Sequence, residues 1–334
     1  MIREEIIRTI PLEAGGVLEN AHIVFHTSGK KTGRVIWICH AMTATSNPED
    51  WWPEIVGPGK TIDTDRNLVV CVNMLGSPFG SESPRSVNPQ TGKPWMLDFP
   101  KITIRDSVMA MSEVCRHLEI SKIDVIIGVS NGGYHALEWA VSAPSLFEKV
   151  LLVATAPRIS PFIGASIEAQ RMALEADPTF REAKDLDGGL NGLKCARAQG
   201  LITYRCFKGF AIKLSEEDPD TLFAEKAASY ERYQGEKMAL GSFDAYCYYT
   251  QSCALDSHNV GRGRGGVSKA LGLIPASVVV VNINSDLLFP PEEGKEWAAR
   301  IPHSRYVEIT SDFGHDGILL EVEQLKRVVS SVLE

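Results

Sequence analysis

The chain lacks any run of about 18 consecutive apolar residues, the length a helix needs to cross a bilayer, so no membrane span is predicted. It has no basic excess either: 34 Lys and Arg stand against 42 Asp and Glu, a formal net charge of −8. A sequence-independent grip on nucleic acid needs a concentrated positive face, and this balance argues against one. Cysteine is sparse and unpatterned. The seven cysteines are odd in number and scattered, with no CxxC pair, in a chain large enough to need no covalent staples. No HExxH or comparable ligand spacing suggests a catalytic metal. The opening residues MIREEIIRTIPLEAGG place acids before a short apolar patch and do not resemble a signal peptide. With the unpatterned cysteines, this leads us to expect a reducing cytoplasm. No internal repeat or low-complexity tract is present.

What is present is a hydrophobic fraction of 44% over 334 residues, enough for a large core. Compact Val- and Ile-rich runs recur at 35–39, 68–72, 123–129, 149–154 and 276–283. Continuous apolar runs of this length suit strands buried on both faces, and the helical spacing between them predicts a mostly parallel sheet with helices on both sides. From 158 to 267 no buried strand is evident, and stretches such as FAEKAASYERYQGEKMAL are helix-forming. The expected organisation is a discontinuous α/β core, 1–157 and 268–334, interrupted by a helical cap at 158–267. Residues 261–266, GRGRGG, could imitate a phosphate-binding loop, but they follow no strand, and a dinucleotide fingerprint needs strand, glycine turn and helix in order.

The strongest local signal is Gly128-Val129-Ser130-Asn131-Gly132-Gly133, lying between the apolar run IDVII and the amphipathic YHALEWAVSA. This is G-x-S-x-G between strand and helix. In a nucleophile elbow the serine turns sharply and its flanking glycines leave room for the close packing. Serine hydrolase chemistry on such a scaffold takes its acid and base later in the chain, in the order Ser, Asp or Glu, His. Asp286 follows the run VVVVNINS, and His315 follows RYVEI and a turn, so both sit at strand ends in that order. Asp312 and Asp316 compete for the acidic role. His40 is a rival base, but it follows the first strong strand, where this fold has its oxyanion loop, and is assigned a structural part there. The predicted roles are nucleophile for Ser130, base for His315 and orienting carboxylate for Asp286, with the backbone N–H groups of Met42 and Asn131 receiving the oxyanion. The residues alone leave esterase and transferase open.

The chain also carries HAMT (40–43), the long run NMLGSPFGSESPRSVNPQTGKPWMLDFPKITIRD (73–106), AQRMALEADP (169–178), YQGEK (233–237), LDSHNVGRGRGG (255–266), SDLLFPPEE (285–293) and FGHDGILLE (313–321). With the elbow, these closely resemble the homoserine O-acetyltransferase family from about residue 11 to the end. The resemblance implies an α/β-hydrolase fold and cytoplasmic transfer of acetyl from acetyl-CoA to the hydroxyl of L-homoserine, with no bound cofactor. It implies a homodimer formed through the cap. It also implies Arg171 as ligand of the amino acid carboxylate, Asp316 as ligand of its ammonium, and Thr43 as a further substrate contact. Several positions depart from the family: Asn131 stands where methionine is common, Val129 where glycine is common, and Ala44 follows Thr43 in place of glycine. The first two leave the backbone N–H donor unchanged, whereas Ala44, SPFGSESP and FDAYCYY in the cap lie where acyl group and acceptor are selected and leave acetyl or succinyl as donor and homoserine or serine as acceptor.

Overall fold

The computed structural model describes residues 1–29, 32–241 and 243–334. Eight strands form one sheet: β1 (Ile2–Pro11), β2 (Val17–Ser28), β3 (Val35–Cys39), β4 (Leu68–Val72), β5 (Ile123–Val129), β6 (Phe147–Val153), β7 (Ser277–Ile283) and β8 (Ser304–Ile309). Their spatial order is β1-β2-β4-β3-β5-β6-β7-β8. From β4 onward every neighbouring pair is parallel, while β1 and β2 form an antiparallel hairpin added at one edge.

Period-2 alternation explains the continuous apolar runs. Trp37, Val70, Ile126, Val150 and Val278 face one core, and Ile36, Ile38, Val69, Ile127 and Val279 face the other. Both faces are covered, so neither set of side chains can be polar. The hairpin was not anticipated. Its edge strand β1 carries Arg3, Glu4, Glu5 and Arg8 and buries only Ile6 and Ile10, a half-exposed pattern that a search for doubly buried strands passes over.

The two principal core helices flanking the elbow are α1 (Ile104–His117) and α2 (Asn131–Ser142). Thr103 and Asp106 close a reciprocal capping box at the start of α1. Between β6 and β7 come α3 (Pro161–Glu175), α4 (Leu190–Tyr204), α5 (Phe207–Leu214), α6 (Lys226–Ala239) and α7 (Ala245–Asp256). They hold a cluster of their own, built on Leu174, Phe180, Leu193, Phe243 and Tyr246. Helices α8 (Pro291–Ala298) and α9 (Val322–Leu333) complete the core.

The glycine- and arginine-rich loop anchors the chain where it returns to the core. Arg264 donates to the buried Glu138 of α2 at 2.6 and 2.9 Å, and Arg105 of α1 donates to the same carboxylate at 3.1 Å. Arg262 grips Glu13 through two hydrogen bonds of 2.7 and 2.9 Å. Such forked pairs fix geometry as well as charge. None of the described helices is long and apolar enough to cross a membrane.

Candidate active site

Strands β3, β5, β7 and β8 all point their C-terminal ends toward one side of the sheet, and the loops that follow carry His40, Ser130, Asp286 and His315. That is where an open parallel sheet forms its crevice.

Ser130 sits between β5 and α2 with φ of 55° and ψ of −123°, a strained conformation for a residue with a side chain. Its own N–H donates to the Val153 carbonyl at 2.9 Å, and its carbonyl accepts from the Gly133 N–H at 2.9 Å, so neighbouring strand and helix together hold the turn. Close approach dictates two of the glycines. A Cβ at Gly132 would run into the carbonyl oxygens of Cys39 and His40, and one at Gly128 would lie 2.6 Å from both the Ala136 Cβ and the Gly133 Cα. The sequence motif therefore records steric contacts between the elbow, the end of β3 and the first turn of α2.

The Ser130 hydroxyl lies 2.8 Å from His315 Nε2, and His315 Nδ1 lies 2.7 Å from Asp286 Oδ2. The other Asp286 oxygen accepts the N–H groups of Leu288 at 2.8 Å and Phe289 at 3.2 Å. Asp286 is thereby aimed, and since its carboxylate can only accept, the His315 Nδ1–H donates to it and Nε2 is left to accept from Ser130. Burial of His315 opposes its charged form, but the Asp286 charge and hydrogen bond, with Asp316 adding to them, outweigh burial and hold the imidazole above its ordinary value of 6.5. The turn before His315 is fixed by Gly314, at φ +63°, whose N–H donates to Ser285 Oγ at 3.0 Å while Ser285 donates to the Ser311 carbonyl at 2.7 Å.

The competitors are accounted for by their contacts. Asp312 pairs with Lys208 of α5 at 2.8 Å. His40 is wholly buried, donates from Nδ1 to the Ala41 carbonyl at 2.8 Å, and is pushed down to about 4 by burial, so it is a neutral brace of the loop carrying Met42.

A cavity of about 250 Å³ opens over Ser130. Met42, Thr43, Asn131, His315 and Asp316 all line it. Asn131 is the first residue of α2, so its N–H has no acceptor within the helix and sits at the helix's positive end. The Asn131 side chain is 5% exposed and its Nδ2 contacts Met74 Sδ at 3.3 Å. Asp316 Oδ2 accepts from Arg205 Nε at 2.9 Å, and Arg205 in turn lies over the Tyr230 ring at 4.7 Å.

The structure places Arg171 away from the cavity. Its guanidinium pairs with Glu168 at 2.6 Å and Asp256 at 2.9 Å, donates to the Ser252 carbonyl at 3.1 Å, and does not line the cavity. The reason is helical phase: Ile163, Ser166, Ile167 and Gln170 of α3 face the cavity at i, i+3, i+4 and i+7, and the next residue turns to the other side. The arginine that does reach the cavity is Arg197 of α4, on the same face as Tyr204 seven residues on, with its Cζ 5.7 Å from that ring. The sequence reading missed it. The available signal was Arg197 and Tyr204 sharing one face of a helix in a segment already recognised as cap.

Residues 34–322 match the family model described as alpha/beta hydrolase fold. The homoserine O-acetyltransferase of Cyclobacterium marinum is 40% identical over 326 residues, spanning 96% of this chain and 92% of that protein. Among solved structures, homoserine O-acetyltransferase from Bacillus anthracis superposes with a TM-score of 0.91 at 22% identity, covering 100% of this chain and 97% of that one, a likeness of fold. Esterase E22 superposes at 0.88 with 25% identity over 100% of both chains. With an elbow serine, a histidine and an aspartate joined in one hydrogen-bonded line beneath a charged cavity, and with this degree of likeness along nearly its whole length, the chain belongs to the homoserine O-acetyltransferase family of the α/β-hydrolase fold.

Proposed function

We propose that the protein transfers an acetyl group from acetyl-CoA to the side-chain hydroxyl of L-homoserine by a ping-pong mechanism through acyl-Ser130. The observation that carries this reading is the combination, around one cavity, of the Ser130–His315–Asp286 line with a cation and an anion on separate elements, Arg197 and Asp316. A hydrolase needs only the former. An amino acid acceptor needs the latter as well, a guanidinium for its carboxylate and a carboxylate for its ammonium.

His315 takes the Ser130 proton as Oγ attacks the thioester carbonyl, and Asp286 stabilises the imidazolium that results. The N–H groups of Met42 and Asn131 receive the oxyanion; losing one such donor typically costs on the order of 10²–10³ in rate. The C–S bond breaks, His315 returns its proton to the thiolate, and CoA departs. The acceptor hydroxyl then gives its proton to His315 and attacks the acyl carbon, the bond from that carbon to Ser130 Oγ breaks, and His315 returns the proton to Oγ, regenerating Ser130. Thr43, at the cavity wall beside Met42, is assigned a contact to the acceptor.

The full-length likeness to an esterase favours one second reading, in which water replaces the amino acid in the final step. Mass spectrometry after brief mixing with acetyl-CoA, with and without L-homoserine, separates the two. The expected result is an acetyl adduct on Ser130 that homoserine discharges as O-acetylhomoserine; discharge by water alone at the same rate refutes the transferase. Succinyl-CoA and L-serine in the same experiment test the other donor and acceptor. We also assign the protein to the cytoplasm, where acetyl-CoA is made, and infer a homodimer through the cap. Support for the latter comes from Phe207, Leu222 and Leu240, each more than 80% exposed on that one subdomain.

A further inference from the structure

A second cavity, of about 380 Å³, adjoins the first. Thr43 and Arg197 line both, so the two cavities share these side chains, one on the loop carrying Met42 and one on helix α4. Its remaining wall comes from α6 and the loops around Phe79 and Phe243, whose rings stack edge to face 5.5 Å apart. Among the described residues the lining holds two cations, Arg197 and Lys237, and no carboxylate. The acids nearest in sequence are already engaged: Glu236 with Lys194 at 2.9 Å, and Asp244 with Arg85 at 3.1 Å.

We propose that this second cavity is the corridor for the leaving thiol's phosphorylated tail, with Lys237 as the contact for its phosphates. The inference rests on the reading of the donor as a CoA thioester. Such a molecule joins its reacting carbonyl to a pantetheine arm, a diphosphate and a phosphorylated adenosine, far more than a 250 Å³ cavity encloses. The tail must leave by an opening adjoining the nucleophile, and an amphipathic arm followed by phosphates suits an aromatic-walled passage followed by an unengaged ammonium. Sharing Arg197 raises no conflict, because in a ping-pong sequence the thiol has gone before the amino acid's carboxylate arrives. Chemically the corridor takes no part in bond making: Ser130 Oγ bonds to the carbonyl carbon, the C–S bond breaks, and the thiol leaves along the corridor with the proton from His315.

The test compares acetyl-CoA with acetyl-N-acetylcysteamine, which has the thioester and the end of the arm but no phosphates, in the wild type, Lys237→Glu and Lys237→Arg. Lys237 is exposed and bears no packing load, so all three are expected to fold, which circular dichroism checks. The readout is the ratio of the two donors' kcat/KM for acylation of Ser130. That ratio falls roughly tenfold in Lys237→Glu, recovers in Lys237→Arg, and falls with added salt in the wild type but not in the Glu variant. A ratio untouched by charge reversal, or an equal fall for both donors, overturns the corridor while leaving the acyltransferase in place. A wild type acetylated by the short thioester but not by acetyl-CoA overturns the donor reading, and the corridor with it.

Discussion

Exchanging Arg197 and Arg171 in turn for methionine separates the arginine that lines the cavity from the one expected to contact substrate. Arg197 is half-buried, reaches the cavity with Tyr204, and has no described ion-pair partner, so its guanidinium is available to an incoming carboxylate. A charge-assisted hydrogen bond of this kind contributes about 1.5–3 kcal/mol, so Arg197→Met should lower kcat/KM for homoserine by roughly 10- to 150-fold. Most of the loss should appear in the homoserine KM, since a carboxylate remote from the reacting oxygen is held equally in ground and transition states. Acylation of Ser130 by a small ester such as p-nitrophenyl acetate does not use that carboxylate and should stay within about twofold. Arg171→Met removes a guanidinium from two half-solvated acids, Glu168 and Asp256, an exchange that costs about 1 kcal/mol of stability after solvent screening. Its homoserine KM should not move. Steady-state assays varying homoserine at saturating donor, with a stopped-flow burst for acylation, measure both. A raised homoserine KM in Arg171→Met with an unchanged one in Arg197→Met would refute the argument from helical phase and return the carboxylate site to α3.

His315 must be neutral to accept the Ser130 proton, and its partners hold it above 6.5, so the acylation rate should rise with pH through a midpoint above that value. Asp286→Asn removes the charge and hydrogen bond that do most to raise it and leaves burial opposed by Asp316 alone, so a pH–rate profile should show the midpoint moving down while the rate falls on the order of 10⁴-fold. Gly132→Ala drives a Cβ into the Cys39 and His40 carbonyls and should cost about 3 kcal/mol in urea unfolding, with loss of acylation. Glu138→Ala leaves Arg105 and Arg264 facing each other without their shared carboxylate. Because both guanidinia retain some solvent, the expected loss is about 2–3 kcal/mol, read from the denaturation midpoint.

Chain order and local pattern were enough to place Ser130, Asp286 and His315, because each role depends on where a strand ends, and buried strands announce themselves as short apolar runs. The elbow's glycines were equally legible, since steric demands within a few residues leave a local trace. The proposed oxyanion donors, Met42 and Asn131, lie just beyond the same strand ends. Charge alone did not say which arginine lines the cavity. Arg171 and Arg197 both lie on cap helices, and only the phase of each helix against the core decides which guanidinium enters the cavity; a rotation of one residue, about 100°, separates Gln170 from Arg171. The charged hairpin of β1 and β2 escaped notice because an edge strand needs only one buried face. The partnership of Glu138 with Arg105 and Arg264, 33 and 126 residues away in the chain, had no local trace at all. What the sequence determined were properties carried by neighbours along the chain: the strands, the elbow and the order of the catalytic groups. What only the tertiary structure decided were properties set by the docking of one element on another, the face of α4 turned to the cavity and the placing of Thr43 and Arg197 in the walls of two cavities, because packing across the sheet's crevice is fixed by contacts that no short stretch contains.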